Sequence, residues 1–383
     1  MFLLATASGM IAANIYYAQP LIEPISASLC LPREAAGLIV TLLQVGYGAG
    51  LLLIAPLADL TENRRLVLAS MALATAGLLG AALSTQAAPF FFFALCIGLG
   101  SVAVQVLIPF AAHLAPPEAR GRVVGDVTGL MLGIMVARPV SSFIAAASSW
   151  RAVFFTATAG MTALALVLAF ALPPRRPHAR MHYGAMLASM VQLASRTPVL
   201  RQRALYHMFL FGAFSLFWTT TPLLLAGPFH LSQNGIALFA LAGVSGAIAA
   251  PLTGRIADRG HSRLATGLAM ATVAVAYLIT NIAPSASTVA LALLVLGGIL
   301  VDFGVQAHLV LGYRAIYGLD AQARGRLNGL FMASFFVAGA VGSAVGAWAY
   351  EQGGWRLASG FGLAFATFAL IAFALDVRDA KRF

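Results

Sequence analysis

Residues 55–65 read APLADLTENRR, and residues 254–263 read GRIADRGHSR. When the two stretches are aligned, Asp59 matches Asp258 and Arg64 matches Arg263, each pair 199 positions apart. Each stretch directly follows a long apolar run. A polar loop that recurs in the same place of two successive units indicates an internal duplication.

Three further matches occur in the same order along the chain. They are ARGR at 119–122 and 323–326, Trp150-Arg151 and Trp355-Arg356, and Val104-Gln105 and Val305-Gln306. One match alone would be weak, but an ordered series is strong evidence of duplication. The sequence therefore predicts two homologous halves.

The composition places both halves in a membrane. Of 383 residues, 61% are apolar and 9% are charged, whereas soluble domains are about half apolar and a quarter charged. About 20 apolar residues cross a bilayer core. Twelve such runs, numbered spans 1 to 12, lie at 2–27, 35–58, 66–86, 89–113, 125–147, 152–172, 204–225, 234–257, 264–283, 287–313, 327–349 and 357–375.

The predicted fold is an all-α membrane protein of two six-helix bundles. Because each half has six spans, both run in the same direction and are related by a pseudo-twofold axis along the membrane normal. The predicted domains are 1–172, a linker at 173–203, and 204–383. Within the linker, Met186, Met190 and Leu193 have helical spacing, which suits a short amphipathic helix on the membrane surface; a plain linker is the alternative.

The basic residues predict the orientation. With both termini in the cytoplasm, the cytoplasmic segments hold 19 of 23 Lys and Arg, and the outer loops hold Arg33, Arg151 and Arg356. This distribution follows the positive-inside rule. It predicts a multi-pass inner-membrane protein whose net charge of +11 orients it and contacts anionic lipids, with no nucleic acid as partner. Met1 lies at the start of span 1, so completeness of the N-terminus stays open.

The two cysteines predict no disulfide and no metal site, because Cys30 falls in an outer loop and Cys96 in span 4. No cofactor is expected. The sequence also shows no nucleophile–base set on one face, so an enzyme is not favoured.

The motifs resemble the major facilitator superfamily. The features that carry the resemblance are six plus six spans, a long cytoplasmic link, and a loop after span 2 of the form small-x-Leu-Ala-Asp followed by basic residues. APLADLTENRR departs from the usual pattern at Ala55 and at Glu62-Asn63, where Gly and Gly-Arg are common; the second copy is closer. NIYYAQPLI (14–22), the Gly-rich span 5 and DFGVQAHLVL (302–311) resemble bacterial twelve-helix drug:proton antiporters and sugar-efflux permeases.

The resemblance implies an inner gate of salt bridges and helix-dipole contacts that holds an outward-open state. The loop residues that match it are Asp59, Arg64, Arg120, Arg122, Asp258, Arg263, Arg324 and Arg326. A role as topology signals alone is the alternative.

Three ionisable residues stand inside spans, where each costs about 2.5–3.5 kcal/mol on insertion scales. Asp302 in span 10 is the first candidate for proton coupling, because loss of water favours its protonated form. Glu23 in span 1 is the second. Arg138 in span 5 is a charge that could tune either carboxyl, or a structural clamp; it projects away from a ridge formed by Gly125, Gly129 and Gly133.

Polar and aromatic side chains within the spans predict a wet substrate cavity. In span 1, Tyr16, Gln19 and Glu23 share one helical face, and Pro20 and Pro24 remove backbone hydrogen bonds. Interhelical packing is the alternative. The cavity candidates are Asn14, Tyr16, Tyr17, Gln19, Gln44, Tyr47, Gln105, Phe214, Trp218 and Gln306. His308 is expected at the membrane interface and not in a proton relay.

Together these features favour a secondary active transporter that exports small amphipathic compounds in exchange for protons by alternating access. A sugar or metabolite symporter or uniporter is the alternative, and a channel or membrane enzyme is disfavoured. The expected partners are a small-molecule substrate, protons and membrane lipids, and the expected state is a monomer.

Overall fold

A computed structural model describes residues 2–114, 134–177, 182–284, 286–320 and 323–379. These ranges contain helices and turns and no β-strand. The helices of the first half are Phe2–Ala13, Ile22–Ser28, Leu38–Leu53, Asn63–Leu83, Ala87–Ser101, Ala103–Leu114, Ile134–Ala147 and Trp150–Ala171. Those that follow are Tyr183–Arg196 in the linker, then Pro198–Ala226, Gln233–Ala240, Gly246–Asp258, Ser262–Ile279, Thr288–Tyr317 and Arg324–Asp379.

These helices form the predicted arrangement of twelve spans in two six-helix bundles. Within the described ranges, nine helices are long and apolar enough to cross a membrane. One of them, Arg324–Val377, has 54 residues, enough for two crossings at 1.5 Å per residue. Its helical geometry breaks at Gly353 and at Gly354, which has a φ of +62°, and this break separates spans 11 and 12.

The two ends of the bundles are named by their connections. The linker side carries the linker helix and the loops at 54–62, 259–261 and 318–320. The far side carries the loops at 29–37, 84–86, 148–149, 227–232, 280–284 and 286–287, and the helix break at 353–354. On the far side, the side chains of Ser149, Ser232 and Ser287 accept hydrogen bonds from the backbone N–H three residues later. These serines are N-caps, which start spans 6, 8 and 10.

Several close helix contacts depend on glycine, and one example from each half shows why. A Cβ on Gly98 of span 4 would lie 2.2 Å from the carbonyl oxygen of Leu43 in span 2. A Cβ on Gly342 of span 11 would lie 2.1 Å from the carbonyl oxygen of Gly212 in span 7. Only a residue without a side chain allows these backbones to approach so closely.

The two halves contact each other along spans 2 and 11 and on the far side of spans 5 and 8. Tyr47 packs on Phe336 with ring centroids 4.5 Å apart. On the far side, Gln233 of span 8 donates its amide to the carbonyl oxygen of Pro20 at 3.0 Å and to Ser142 at 3.2 Å. The halves are therefore held together at this end.

Span 1 is not the single helix that its apolar run predicts. The first helix ends at Ala13, a turn covers 14–18, and a 3₁₀ segment at Gln19–Leu21 precedes the helix Ile22–Ser28. Proline at position 20 cannot donate a helical hydrogen bond. The unwound segment therefore directs the polar side chains of ANIYYAQP into the protein interior.

The linker contains the predicted amphipathic helix, Tyr183–Arg196, with Met186 and Met190 buried. The hydroxyl of Tyr183 donates to the carbonyl oxygen of Leu53 in span 2 at 2.8 Å. Arg326 of span 11 donates to the hydroxyl of Ser189 at 2.9 Å. The linker helix thus contacts both halves. The helix of span 7 already begins at Pro198, while the domain boundaries at 172 and 204 stay a prediction.

Candidate functional site

The centre of the protein holds a buried ion pair between the two halves. Nη1 of Arg138 in span 5 lies 3.7 Å from Oδ1 of Asp302 in span 10. The two residues are 2% and 1% exposed. Among the described residues, no other Lys, Arg, Asp or Glu is buried to this degree. Removing one member of such a pair leaves an uncompensated charge, at a cost of about 3–5 kcal/mol.

Asp302 is held in place by span 7. The indole Nε1 of Trp218 donates a hydrogen bond to Oδ2 of Asp302 at 2.6 Å. Oδ1 accepts no hydrogen bond from a described residue and has only the longer ion pair with Arg138. One carboxylate oxygen is therefore fixed by a neutral donor, while the other faces the cation.

Arg138 is held by the unwound part of span 1 and by three aromatic rings. Its Nε donates to Oε1 of Gln19 at 2.7 Å. The guanidinium carbon lies 4.2 Å from the ring centroid of Trp218, 5.0 Å from that of Phe214 and 5.3 Å from that of Tyr16. Cation–π attraction at these distances stabilises a desolvated guanidinium. Its Nη groups make no hydrogen bond with a described residue.

Gly243 of span 8 forms the wall against which this pair rests. A Cβ at this position would lie 2.9 Å from Nη1 of Arg138, 3.2 Å from Cζ2 of Trp218 and 3.4 Å from Oδ1 of Asp302. Sequence reasoning missed Gly243 because nothing distinguishes it among the 37 glycines of the chain. Its role is visible only in the structure, where it packs against Arg138, Trp218 and Asp302.

A nearly closed cavity of about 10 Å³, enough for about one water molecule, lies beside the pair. Gln19, Arg138 and Trp218 supply polar side chains to its lining, and Leu225, Ile236 and Phe239 are among the apolar lining residues. Nε2 of Gln19 is buried and has no hydrogen-bond partner among the described residues. The cavity thus combines nitrogen donors with an apolar wall.

Four of the ten predicted cavity residues meet at this centre: Tyr16, Gln19, Phe214 and Trp218. Asn14 is also buried, and neither polar atom of its side chain has a described partner. Tyr17 and Gln306 are half-buried, and neither contacts the ion pair in the described interactions. The polar stretch of span 1 therefore lies inside the protein, as the sequence predicts.

The remaining cavity candidates form two polar networks between the halves. Gln44 donates to the hydroxyl of Ser215 at 2.7 Å. Nearer the linker side, Gln105 donates to the hydroxyl of Tyr47 at 2.9 Å, and Asn328 of span 11 donates to Oε1 of Gln105 at 3.2 Å. These residues join the bundles but do not reach the ion pair.

The prediction of Glu23 as a buried carboxylate is wrong. Glu23 is exposed, in the first turn of the short helix Ile22–Ser28 on the far side. Residues 14–21 form a turn and a 3₁₀ segment, so the α-helical spacing that predicted a common face for Tyr16, Gln19 and Glu23 does not apply. Asp302 is the carboxylate that reaches Arg138.

The interfacial placement of His308 is also wrong. His308 of span 10 and His207 of span 7 are fully buried, with their Nδ1 atoms 3.0 Å apart. The rings are nearly parallel and surrounded by aromatic side chains, including Phe331 and Phe335. One Nδ1 must donate and the other accept, so the pair forms a hydrogen-bonded bridge between spans 7 and 10.

The predicted gate residues have partners that differ from those of the expected inner gate of salt bridges. Asp59 is exposed and forms no ion pair within the described ranges, and Arg64 donates to the carbonyl oxygen of Ala169 in its own half. Asp258 pairs with Arg314 of span 10, while Arg263 is exposed. Arg314 was missed because its basic charge near a span end reads as a topology signal.

Two further gate arginines have partners near the linker side. Arg324 donates to the carbonyl oxygen of Tyr317, and Arg326 contacts the linker helix as described above. Arg120 and Arg122, together with the ridge of Gly125, Gly129 and Gly133, lie outside the described residues.

Metal ligands do not cluster in the part of the chain that the structure describes: no group of three or more His, Cys, Asp or Glu could hold an ion there. Cys30 is exposed and Cys96 is half-buried, each with a free thiol.

Comparison with known proteins identifies the family. The family model described as Major Facilitator Superfamily matches residues 1–310. The putative uncharacterized transporter YgaY of Escherichia coli K12 is 38% identical over 371 residues, covering 96% of this chain and 92% of that protein. The probable transporter SCO4007 of Streptomyces coelicolor is 32% identical, covering 92% and 82%. Among solved structures, the nucleoside transporter NupG superposes with a TM-score of 0.74 at 13% identity, covering 97% of this chain and 99% of the other, which supports the fold alone. The chain therefore belongs to the Major Facilitator Superfamily of membrane transporters.

Proposed function

We propose that this transporter couples substrate movement to protons and that the Arg138–Asp302 pair is the coupling unit. The observation that carries the proposal is the burial of both charges at the junction of the two halves, 3.7 Å apart. Charges at such a depth are costly and mark ion or proton pathways in membrane proteins.

The pair can act as a switch because its members belong to different bundles. With Asp302 ionised, its charge holds span 10 against Arg138 of span 5. A proton on Asp302 removes this attraction, whereas the hydrogen bond from Trp218 still has an oxygen to bind. The junction between the halves then weakens without loss of the carboxyl position, as rocking of two bundles around a central site requires.

The proton and the substrate can bind to such a pair either in turn or together, and the two cases correspond to different transport functions. If proton and substrate exclude each other, the protein is an antiporter that exports small amphipathic compounds, as the sequence resemblance favours. If they bind together, it is a symporter, for example of a metabolite. The second function has one observation in its favour, the cavity beside Arg138 that presents donors and an apolar wall.

Transport by purified protein in proteoliposomes tests the proposal. A panel of labelled compounds is offered with and without an imposed pH gradient, while an internal dye reports proton flux. We expect the gradient to drive accumulation by the native protein. Asp302→Asn should lose this drive and keep exchange of substrate down its own gradient.

Glu23→Gln is the matched control, because this carboxylate is exposed and does not contact Arg138. It should retain the pH-driven transport. If Asp302→Asn keeps full accumulation as well, the coupling role is excluded and the protein is a uniporter or is coupled through other groups.

A further inference from the structure

The cavity beside Arg138 has a volume of about 10 Å³, room for about one water molecule, so a larger ligand requires it to widen. The described side chains that line it include hydrogen-bond donors but no free acceptor. Nε2 of Gln19 is buried without a hydrogen-bond partner among the described residues. The Nη groups of Arg138 make no hydrogen bond with a described residue, and Nη1 has only the 3.7 Å ion pair with Asp302. Among the described lining side chains, only Oε1 of Gln19 can accept a hydrogen bond. It already accepts one from Nε of Arg138. A ligand that matches this lining is an acceptor with negative charge.

The rest of the lining limits the body of such a ligand. Leu225, Ile236 and Phe239 face the cavity together with two prolines and an alanine. These side chains favour an apolar group. A sugar fits poorly, because its hydroxyls must donate as well as accept and the donors would stay unpaired.

Charge balance points in the same direction. Asp302 is the counterion that the described structure gives Arg138. When Asp302 takes up a proton, the guanidinium is left buried and uncompensated, which is strongly unfavourable. An anionic ligand restores neutrality at that moment, whereas a cationic ligand adds a second positive charge.

We propose that the substrate is a small organic carboxylate with a short apolar body, which binds Arg138 and the amide of Gln19 and replaces Asp302 as the counterion. This inference rests on the proposed function and names the substrate class of the same site. Because the anion favours the neutral form of Asp302, proton and anion bind together. Joint binding of proton and substrate is the behaviour of a symporter, whereas the sequence resemblance favours an antiporter.

The guanidinium also supplies the geometry for this recognition. Its two Nη groups can donate to both oxygens of one carboxylate, an arrangement that a lysine does not provide. The guanidinium carbon lies over the rings of Phe214 and Trp218, so a carboxylate that binds the Nη groups in the guanidinium plane can leave these cation–π contacts in place.

Binding of three probes of the same shape and different charge tests the inference. The probes are benzoate, benzamide and benzylammonium, and propionate and butyrate serve as shorter carboxylates. Full-length protein in lipid nanodiscs is titrated by calorimetry in buffers of different ionisation enthalpy, so that proton uptake is measured with binding. We expect the carboxylates to bind with uptake of up to one proton and with higher affinity at lower pH.

The decisive variant is Asp302→Asn, which removes the competing carboxylate and leaves Arg138 charged. We expect benzoate to bind it about tenfold more tightly than it binds the native protein, with no proton uptake and no pH dependence. Gln19→Leu should weaken benzoate without changing the number of protons. Ser195→Ala, on the exposed face of the linker helix, is the control and should behave as the native protein.

Three outcomes overturn the inference. They are binding of benzamide or benzylammonium as tightly as benzoate, weaker benzoate binding by Asp302→Asn when the variant remains folded by thermal unfolding, and no binding of any carboxylate by either protein. Failure of the proposed function is distinguishable, because it appears as transport that ignores the pH gradient whichever probe is bound.

Discussion

The indole N–H of Trp218 lies 2.6 Å from Oδ2 of Asp302, so a neutral donor and not the cation makes the shortest contact with the central carboxylate. Arg138, at 3.7 Å, acts on Asp302 by charge at a longer distance. This division matters because a hydrogen bond from an indole survives protonation of its acceptor, whereas an ion pair does not. Trp218 is thus the residue that keeps Asp302 in position through a change of charge.

Trp218→Phe separates these two contributions. The substitution keeps an aromatic ring over Arg138 but removes the N–H donor, a loss of about 1.5–3 kcal/mol for a hydrogen bond to a charged group. We expect pH-driven accumulation in proteoliposomes to fall about tenfold or more while substrate exchange falls less. Trp348→Phe is the control, because Trp348 is 47% exposed on span 11. Equal losses in both activities would argue against a role in holding Asp302.

Gly243→Ala tests the wall behind the ion pair. The new Cβ would lie 2.9 Å from Nη1 of Arg138, so the pair must move or span 8 must shift, at a cost of about 1–3 kcal/mol for overpacking. We expect a lower unfolding temperature and loss of most transport. Gly254→Ala in the same span is the matched control, because a Cβ there meets no atom within 4 Å. If the two variants have the same unfolding temperature and transport rate, close packing at position 243 is not required for transport.

The histidine bridge predicts a stability coupling between spans 7 and 10. His207→Phe or His308→Phe alone leaves the other imidazole without its Nδ1 partner, at about 1–3 kcal/mol. The double variant removes both polar rings, so it should lose less stability than the two single losses added together. Unfolding of the four proteins in detergent gives the coupling energy. Additive losses would show that the 3.0 Å contact contributes no hydrogen bond.

The orientation in the membrane is tested by labelling from each side. Ser195 on the linker helix and Ser148 at the far side are both exposed. Single cysteines at these positions, in a background without Cys30 and Cys96, should react with an impermeant reagent from opposite faces of the cell membrane. Ser195→Cys should label only after the cell is opened, because the basic linker side is expected in the cytoplasm. Labelling of both from one side would contradict the crossing of the membrane by span 6, the helix Trp150–Ala171 that separates the two positions.

The sequence by itself determined the architecture, because the signals for it are local. Long apolar runs identify the spans, and the repeat of Asp59 and Arg64 at Asp258 and Arg263 identifies the halves. A charge inside an apolar run is equally visible, so Arg138 and Asp302 could be named as central residues in advance. Gln19 and Trp218 could be named for the same reason, as polar or aromatic groups within spans.

Only the tertiary structure decided which of these residues act together. Arg138 needs a counterion, and the sequence offered two carboxylates, Asp302 as the first candidate and Glu23 as the second. In the structure Glu23 is exposed beyond the unwound part of span 1, and Asp302 lies opposite the guanidinium. Gly243 and the His207–His308 bridge became visible only once spans 5, 7, 8 and 10 were packed. Periodicity specifies the face on which a side chain lies, but the partner on a distant span depends on how all the helices cross, and no local pattern contains that information.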